Sequence, residues 1–322
     1  MTNSPRLHFH DFHPTVSDFR EDVLKGLNAA QKYIAPKYFY DAQGSIIFDQ
    51  ICRLPEYYLT RTEIGLLQQH GTEIAEHIGP DSVLFELGSG NSRKVRLLLD
   101  AVRPYSYAPL DISKSHLFQS ATMLANDYPW LEIHAICVDY AGSWILPPGL
   151  KGNRRIVFFP GSSIGNLGPE EAVDLLRKIA ELVGENGGLL IGVDLIKDIK
   201  ILEAAYNDLQ KVTAAFNKNL LVRLNRELNA NFQLDAFKHL AFYNQELNRI
   251  EMHLASNREQ TIQIDEEYFR FGEGETIHTE NSHKYSLTGF HSLAGLAGFY
   301  PVNVWTDPNN FFSLQYLQTQ AI

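Results

Sequence analysis

The sequence predicts an α/β protein built on an open, mostly parallel sheet, and three observations carry that expectation. Short apolar runs alternate with segments of helical spacing through the middle of the chain. A glycine-containing turn follows the first of those runs, and acidic residues recur where the runs end.

The runs lie at 83–87, 105–110, 133–138, 156–159 and 189–195. The segment between the fourth and fifth shows why the connections read as helices. Pro169 and two glutamates open it, and Val173, Leu176, Ile179, Ala180 and Val183 recur on one face. After Asp194 a long helical stretch is expected over 199–217, followed by antiparallel strands near 241–243, 249–255 and 261–264. A glycine-broken helical segment at 287–298 precedes two closing strands at 300–305 and 311–317, which would complete a seven-stranded, Rossmann-like sheet. The expected layout is discontinuous: a sheet domain at 61–196 plus 286–322, and an inserted α+β substrate-binding lobe at 1–60 plus 197–285, with the site in the cleft between them.

Composition narrows the partners. The chain has 322 residues, 44% hydrophobic and 20% charged, enough for a large core. Its net charge of −10 weighs against a surface that neutralises nucleic-acid phosphates or anionic lipid, so a small molecule is expected, with no nucleic acid and no membrane partner. A monomer is the expected state. Cys52 and Cys137 form no CxxC or metal-ligand spacing, which suits a reducing, cytoplasmic setting. The N-terminal stretch lacks a basic leader and an apolar core, so secretion is not expected. His8, His10 and His13 can ligate a metal, although a mobile or partner-packed segment accounts for them more simply, and no metal is assigned to the site.

The turn VLFELGSGNSRK carries Glu86, Gly88 and Gly90, and its glycines let backbone approach a ligand. NAD, FAD and S-adenosylmethionine all use such turns. Here Arg93 stands where the third glycine of the dinucleotide fingerprint belongs, and Glu86 would repel a pyrophosphate but attract the ammonium of a methionine moiety. S-adenosylmethionine is therefore the expected cofactor. Asp111, about twenty residues on, can accept both ribose hydroxyls. Asp139 can receive an adenine amino group while Tyr140 covers the base. Lys94 reaches the cofactor carboxylate or sits on an exposed helix face.

Longer motifs add a resemblance. PKYFYDAQGSIIFDQICRLPEYYLTRTE at 36–63, ELGSG at 86–90, GSSIGNL at 161–167, VTAAFNKN and LNREL after Tyr206, and RIEMHL at 249–254 make the chain similar, over nearly its whole length, to the histidine Nα-methyltransferases of ergothioneine biosynthesis. That resemblance implies a class I methyltransferase fold and transfer of three methyl groups from S-adenosylmethionine to free L-histidine, through mono- and dimethylated intermediates, giving hercynine. It places Tyr40, Gly88, Lys94, Asp111, Asp139 and Tyr140 on the cofactor, and Tyr57, Gly161, Asn166, Tyr206, Met252, Glu280 and Ser282 around the amino acid.

Each has a chemical reason. The Asn166 amide can both donate to and accept from the head group, and the Tyr206 hydroxyl can donate to the carboxylate. Tyr57 can bond an imidazole nitrogen. Glu280 can accept the imidazole N–H and favour its protonated form, with Ser282 adding a contact two residues on and Met252 covering the ring. Turn capping, tyrosine packing, an exposed strand glutamate and core filling are the ordinary alternatives at these positions. Phe39, Tyr40 and Phe48 can favour a cationic amine. No side chain is singled out as general base: water, a backbone relay or a tyrosine all remain open. The competing readings are a methyltransferase of the same build acting on another amino acid or amine, an NAD-dependent oxidoreductase, and a non-catalytic binding protein.

Overall fold

The structure is a computed structural model that describes residues 6–12, 16–142, 146–147, 149–150, 152–185 and 187–319. The chain divides into two compact units, one of Met1–His13, Leu59–Ile196 and His283–Ile322, the other of Pro14–Tyr58 and Lys197–Ser282.

The first unit is built on an 8-stranded sheet in the order β1-β4-β3-β2-β5-β6-β13-β12. Its strands are β1 (Leu7–Asp11), β2 (Ser82–Leu87), β3 (Ser106–Asp111), β4 (Glu132–Cys137), β5 (Arg154–Phe159), β6 (Gly188–Asp194), β12 (Phe299–Thr306) and β13 (Phe312–Thr319). Strands β1 to β6 pair in parallel, and β13 runs antiparallel to both β6 and β12. The helices of this unit are α3 (Tyr58–Ile78), α4 (Arg93–Val102), α5 (Lys114–Asp127), α6 (Pro169–Val183) and α9 (Leu287–Gly295). In α6 the Glu171 carboxylate accepts the Gly168 N–H at 2.8 Å, fixing the start, while Val173, Leu176, Ile179 and Val183 are buried. They pack with Phe85, Val157, Phe159, Ile191, Val193, Phe290 and Ala294 in one core. Each such side chain contributes about 1.5–3 kcal/mol by leaving water.

Strand β1 departs from expectation. The sequence places residues 1–60 in the other lobe and leaves the histidine-bearing start to a mobile or partner-packed stretch, yet Leu7 to Asp11 pair in register with Ile133 to Cys137. The pairing satisfies backbone groups that the outer edge of β4 would otherwise leave bare, and a run as short as LHFHD carries too little alternation to declare a strand. His13 lies outside the described residues.

The second unit holds α1 (Val16–Leu27), α2 (Ala42–Ile51), α7 (Ile199–Tyr206) and α8 (Val212–Glu227) with a 3-stranded sheet β11-β8-β7 and a β9-β10 hairpin. Those strands are β7 (Phe237–Asn244), β8 (Arg249–Ser256), β9 (Gln260–Ile264), β10 (Glu267–Phe271) and β11 (Thr276–His283). The single helix expected over 199–217 is two. Lys211 adopts φ 63°, and the Asp208 carboxylate caps the new start by accepting the Val212 and Thr213 amides at 2.9 and 2.8 Å. Asp41 caps α2 through Gly44 N–H at 2.7 Å and also takes Asn219 and Arg226 of α8, so one carboxylate fixes both helices. Gly44 is obligatory, because a Cβ there would lie 1.7 Å from the Phe39 carbonyl oxygen. No helix among the described residues is long and apolar enough to cross a membrane.

Candidate active site

In the first unit the candidate residues gather at the carboxyl ends of β2, β3, β4 and β5. Gly88 and Gly90 adopt φ 71° and 50°, conformations open to glycine without strain. The Gly90 amide donates to Asp111 Oδ2 at 2.9 Å, and the Ser113 amide donates to Oδ1 at 2.9 Å. Each Asp111 oxygen keeps acceptor capacity for a further donor. Burial raises its acid above the ordinary carboxylate value, with the two amides opposing. Asp139 Oδ1 accepts the Ala141 amide at 3.0 Å, and the Tyr140 ring meets Phe159 edge-on at 5.7 Å. A Cβ on Gly88 would come 3.8 Å from the Tyr140 ring, so the bare glycine leaves this face open.

Glu86 is buried, and the Tyr107 hydroxyl donates to its Oε2. Burial pushes the acid up to about 8, opposed by Tyr107 and Lys94. The expected attraction to an ammonium is thus conditional on the carboxyl giving up its proton, which burial opposes and a joining cation favours. Ser89, beside it, has a buried hydroxyl without a hydrogen-bond partner. Lys94 does not sit on an exposed helix face: its ammonium lies 2.6 Å from Glu63, a fully buried carboxylate on α3. The same carboxylate accepts the Gly161 amide at 2.9 and 3.1 Å. Asn166 is half-buried at the end of the turn Ser163–Asn166, whose Gly165 approaches the backbone of His283 too closely for a Cβ.

In the second unit Tyr57, Tyr206, Met252 and Ser282 are buried, while Tyr40 and Glu280 are half-buried. The Tyr206 hydroxyl and Ser282 Oγ share a hydrogen bond of 2.7 Å. The Tyr57 ring meets Tyr206 at 6.1 Å and Phe48 at 6.3 Å, both edge-on. Burial holds the Tyr57 phenol well above its ordinary value, and Tyr206, Cys52, Tyr40 and Glu280 push the same way, so it is a neutral donor. Tyr40, Phe48 and Phe216 form an aromatic cluster with centroids 5.5 to 5.9 Å apart. Phe39 is fully buried and stacks on Phe216, which makes it core rather than a candidate for contacting an amine. Glu251 and His253, the neighbours of Met252 along β8, bond each other at 3.0 Å.

Three residues that touch these candidates are not among those the sequence singles out: Glu63, Tyr107 and Phe216. Glu63 stands among Leu59, Leu67, Ile74 and Ile78 on the apolar stripe of α3, and that spacing was a legible sign of a buried carboxylate. Tyr107 and Phe216 read as ordinary apolar residues, and nothing local distinguished them.

A parallel sheet closed by one antiparallel strand in this order, with a glycine turn after β2 and carboxylates at successive strand ends, defines the class I methyltransferase fold. The glycine cradle, the buried unsatisfied Ser89 hydroxyl and the Asp111 acceptors fit S-adenosylmethionine. The chain belongs to the family of S-adenosylmethionine-dependent, histidine-specific methyltransferases, whose sequence profile matches residues 19–319. Histidine N-alpha-methyltransferase of Mycolicibacterium smegmatis is 42% identical over 302 residues, covering 92% of this chain and 93% of that one. The protein of the same name from Mycobacterium tuberculosis is 40% identical over 301 residues, covering 92% and 93%. Ergothioneine biosynthesis protein 1 of Neurospora crassa is 31% identical over 281 residues, 84% of this chain and 32% of the fungal one.

Proposed function

We propose that the protein methylates the α-amino nitrogen of free L-histidine three times, giving hercynine for ergothioneine biosynthesis, and that it does so as a cytoplasmic monomer with no nucleic-acid or membrane partner. The observation that carries the substrate is the 42% identity to a histidine N-alpha-methyltransferase across 92% of the chain. The hydroxyl pair Tyr206 and Ser282, with Tyr57 held neutral beside Glu280, supplies the polar groups an amino acid needs.

We assign the methyl donor to the sheet unit and the amino acid chiefly to the second. Bound S-adenosylmethionine supplies an electrophilic methyl group on a sulfonium. Asp111 accepts from the ribose hydroxyls, Asp139 from the adenine amino group, and Glu86 faces the methionine ammonium with the Gly88 and Gly90 backbone around it. Tyr40 and Lys94 also belong to this set, Lys94 through its ion pair with Glu63. Gly161 and Asn166, from the loop after β5, serve the substrate head group. Tyr57 and Glu280 hold the imidazole, Met252 walls it, and Tyr206 with Ser282 orients the carboxylate. The protein's work is alignment, since proximity and orientation alone can lower such a barrier by about 7–11 kcal/mol. The rings of Tyr40 and Phe48 favour the nitrogen as it becomes cationic.

The test is calorimetric titration of each of the twenty amino acids with and without S-adenosylhomocysteine, followed by mass spectrometry of turnover. Histidine alone should bind and gain three methyl groups. Methylation of a different amino acid or amine would overturn the substrate while leaving the family intact.

A further inference from the structure

We propose that the first unit carries a transition-metal site, of the kind that takes Zn²⁺, formed by His8, Glu132 and His134 where β1 meets β4. His8 and His134 are register partners across the two strands, and Glu132 lies two residues before His134, so all three project from the same face of the sheet. His8 Nε2 lies 3.7 Å from Glu132 Oε1, and His134 Nε2 lies 3.5 Å from the same oxygen. These separations are too long for good hydrogen bonds. They approach the ligand-to-ligand edges of a tetrahedral zinc centre, about 3.3–3.5 Å for bonds of about 2.0–2.1 Å.

A second, independent observation points the same way. His134 is only 3% exposed, yet its Nε2 has no hydrogen-bond partner. A buried polar nitrogen left unsatisfied is costly, and here it lies 3.5 Å from a carboxylate oxygen that a cation would join. Its other nitrogen faces His10, with His134 Nδ1 3.4 Å from His10 Nε2 and the two rings within 5° of parallel. The His8 ring stacks on the His134 ring with centroids 4.6 Å apart and planes 24° from parallel, so binding requires the exposed His8 ring to turn until its Nε2 points at the shared ion.

A comparable group elsewhere shows the contrast. Glu251, His253 and His278 also lie close together, but Glu251 bonds His253 at 3.0 Å and is paired with Arg249 at 2.8 Å, while His253 Nδ1 meets Thr276 at 3.2 Å. That group is satisfied without a metal. Two neutral imidazoles and one carboxylate would leave a fourth coordination position for water, and the bound ion would staple the edge strand β1 to the sheet.

The experiment uses the whole chain without an affinity tag, stripped with chelator and titrated with Zn²⁺ by calorimetry and with Co²⁺ by visible absorption. One ion per chain should bind with a micromolar or tighter dissociation constant, and Co²⁺ should give the intense d–d bands of a low-coordinate site. His8→Ala, at an exposed position, and Glu132→Gln should each weaken Zn²⁺ binding at least tenfold. Both variants should match the wild type in chelator, and lose the rise in melting temperature that Zn²⁺ gives it. Absence of stoichiometric Zn²⁺ binding to the wild type, or binding that survives both substitutions unchanged, would overturn the site.

Discussion

The Lys94 ammonium lies 2.6 Å from the Glu63 carboxylate, and that carboxylate also holds the Gly161 amide. One fully buried acid on α3 therefore ties the first turn of α4 to the loop after β5. The helix that follows the glycine turn and the loop bearing Asn166 are thereby held to the same side chain.

Glu63→Gln keeps an acceptor for the Gly161 amide but leaves Lys94 without its counter-charge. Affinity for S-adenosylhomocysteine should fall about tenfold, the scale of one charge-assisted hydrogen bond. Glu63→Ala should in addition cost about 3–5 kcal/mol of stability, as breaking a buried pair does. Calorimetry and urea unfolding read the two effects, and unchanged affinity in both variants would remove Glu63 from the positioning role.

Asp111→Ala should weaken S-adenosylhomocysteine by roughly tenfold or more, at about 1.5–3 kcal/mol per hydrogen bond to a charged acceptor. Glu280→Ala should instead raise KM for histidine far more than it alters cofactor affinity. The two variants form a crossed test. Equal losses of both ligands in either one would sink its assignment.

The high value of Glu86, about 8 against an ordinary 4.5, has a definite sign. A raised folded-state value means stability is fully present below about pH 4.5 and is lost as pH rises toward and through 8. Glu86→Gln should flatten that fall in a urea series from about pH 5 to 9. If the methionine ammonium binds here, wild-type binding at pH 7 should also release a proton, seen as a dependence of binding enthalpy on buffer ionisation. Identical enthalpies across buffers would speak against the contact.

Glu251 has the opposite sign. Burial alone would raise it, but His253, Arg249 and Asn244 hold it down to about 2. Its contribution is present above the ordinary 4.5 and is lost as pH falls toward 2. Glu251→Gln should be less stable than wild type near pH 6 and converge with it near pH 2, measured by urea midpoints. Parallel curves over that range would show that the interactions of Glu251 do not depend on its charge.

Tyr206→Phe removes the 2.7 Å link to Ser282, and the loss of such a hydrogen bond should cost about 1 kcal/mol of stability. Because the same hydroxyl is assigned to the substrate carboxylate, KM for histidine should rise while S-adenosylhomocysteine affinity holds. A loss of stability with KM unchanged would make Tyr206 packing alone.

The sequence by itself determined the parts written in local periodicity. Buried parallel strands are continuous apolar runs, crossover helices repeat at 3.6 residues, and strand-end glycines and acids stand at fixed offsets from them. Hence β2 to β6, α6, the glycine turn and the strand-end residues Asp111 and Asp139 were legible, and long motifs disclosed the family. Tertiary structure decided what depends on partners distant in the chain. Strand β1 exists because β4 offers an open edge, with 124 residues separating His10 from His134. The break between α7 and α8 follows from Asp208 turning back to cap a new helix. Lys94 belongs to Glu63 rather than to solvent because α3 packs its one buried acid there, and the raised acid of Glu86 is set by exclusion of water. Burial and charge pairing depend on the whole surrounding volume, so no local window of sequence contains them.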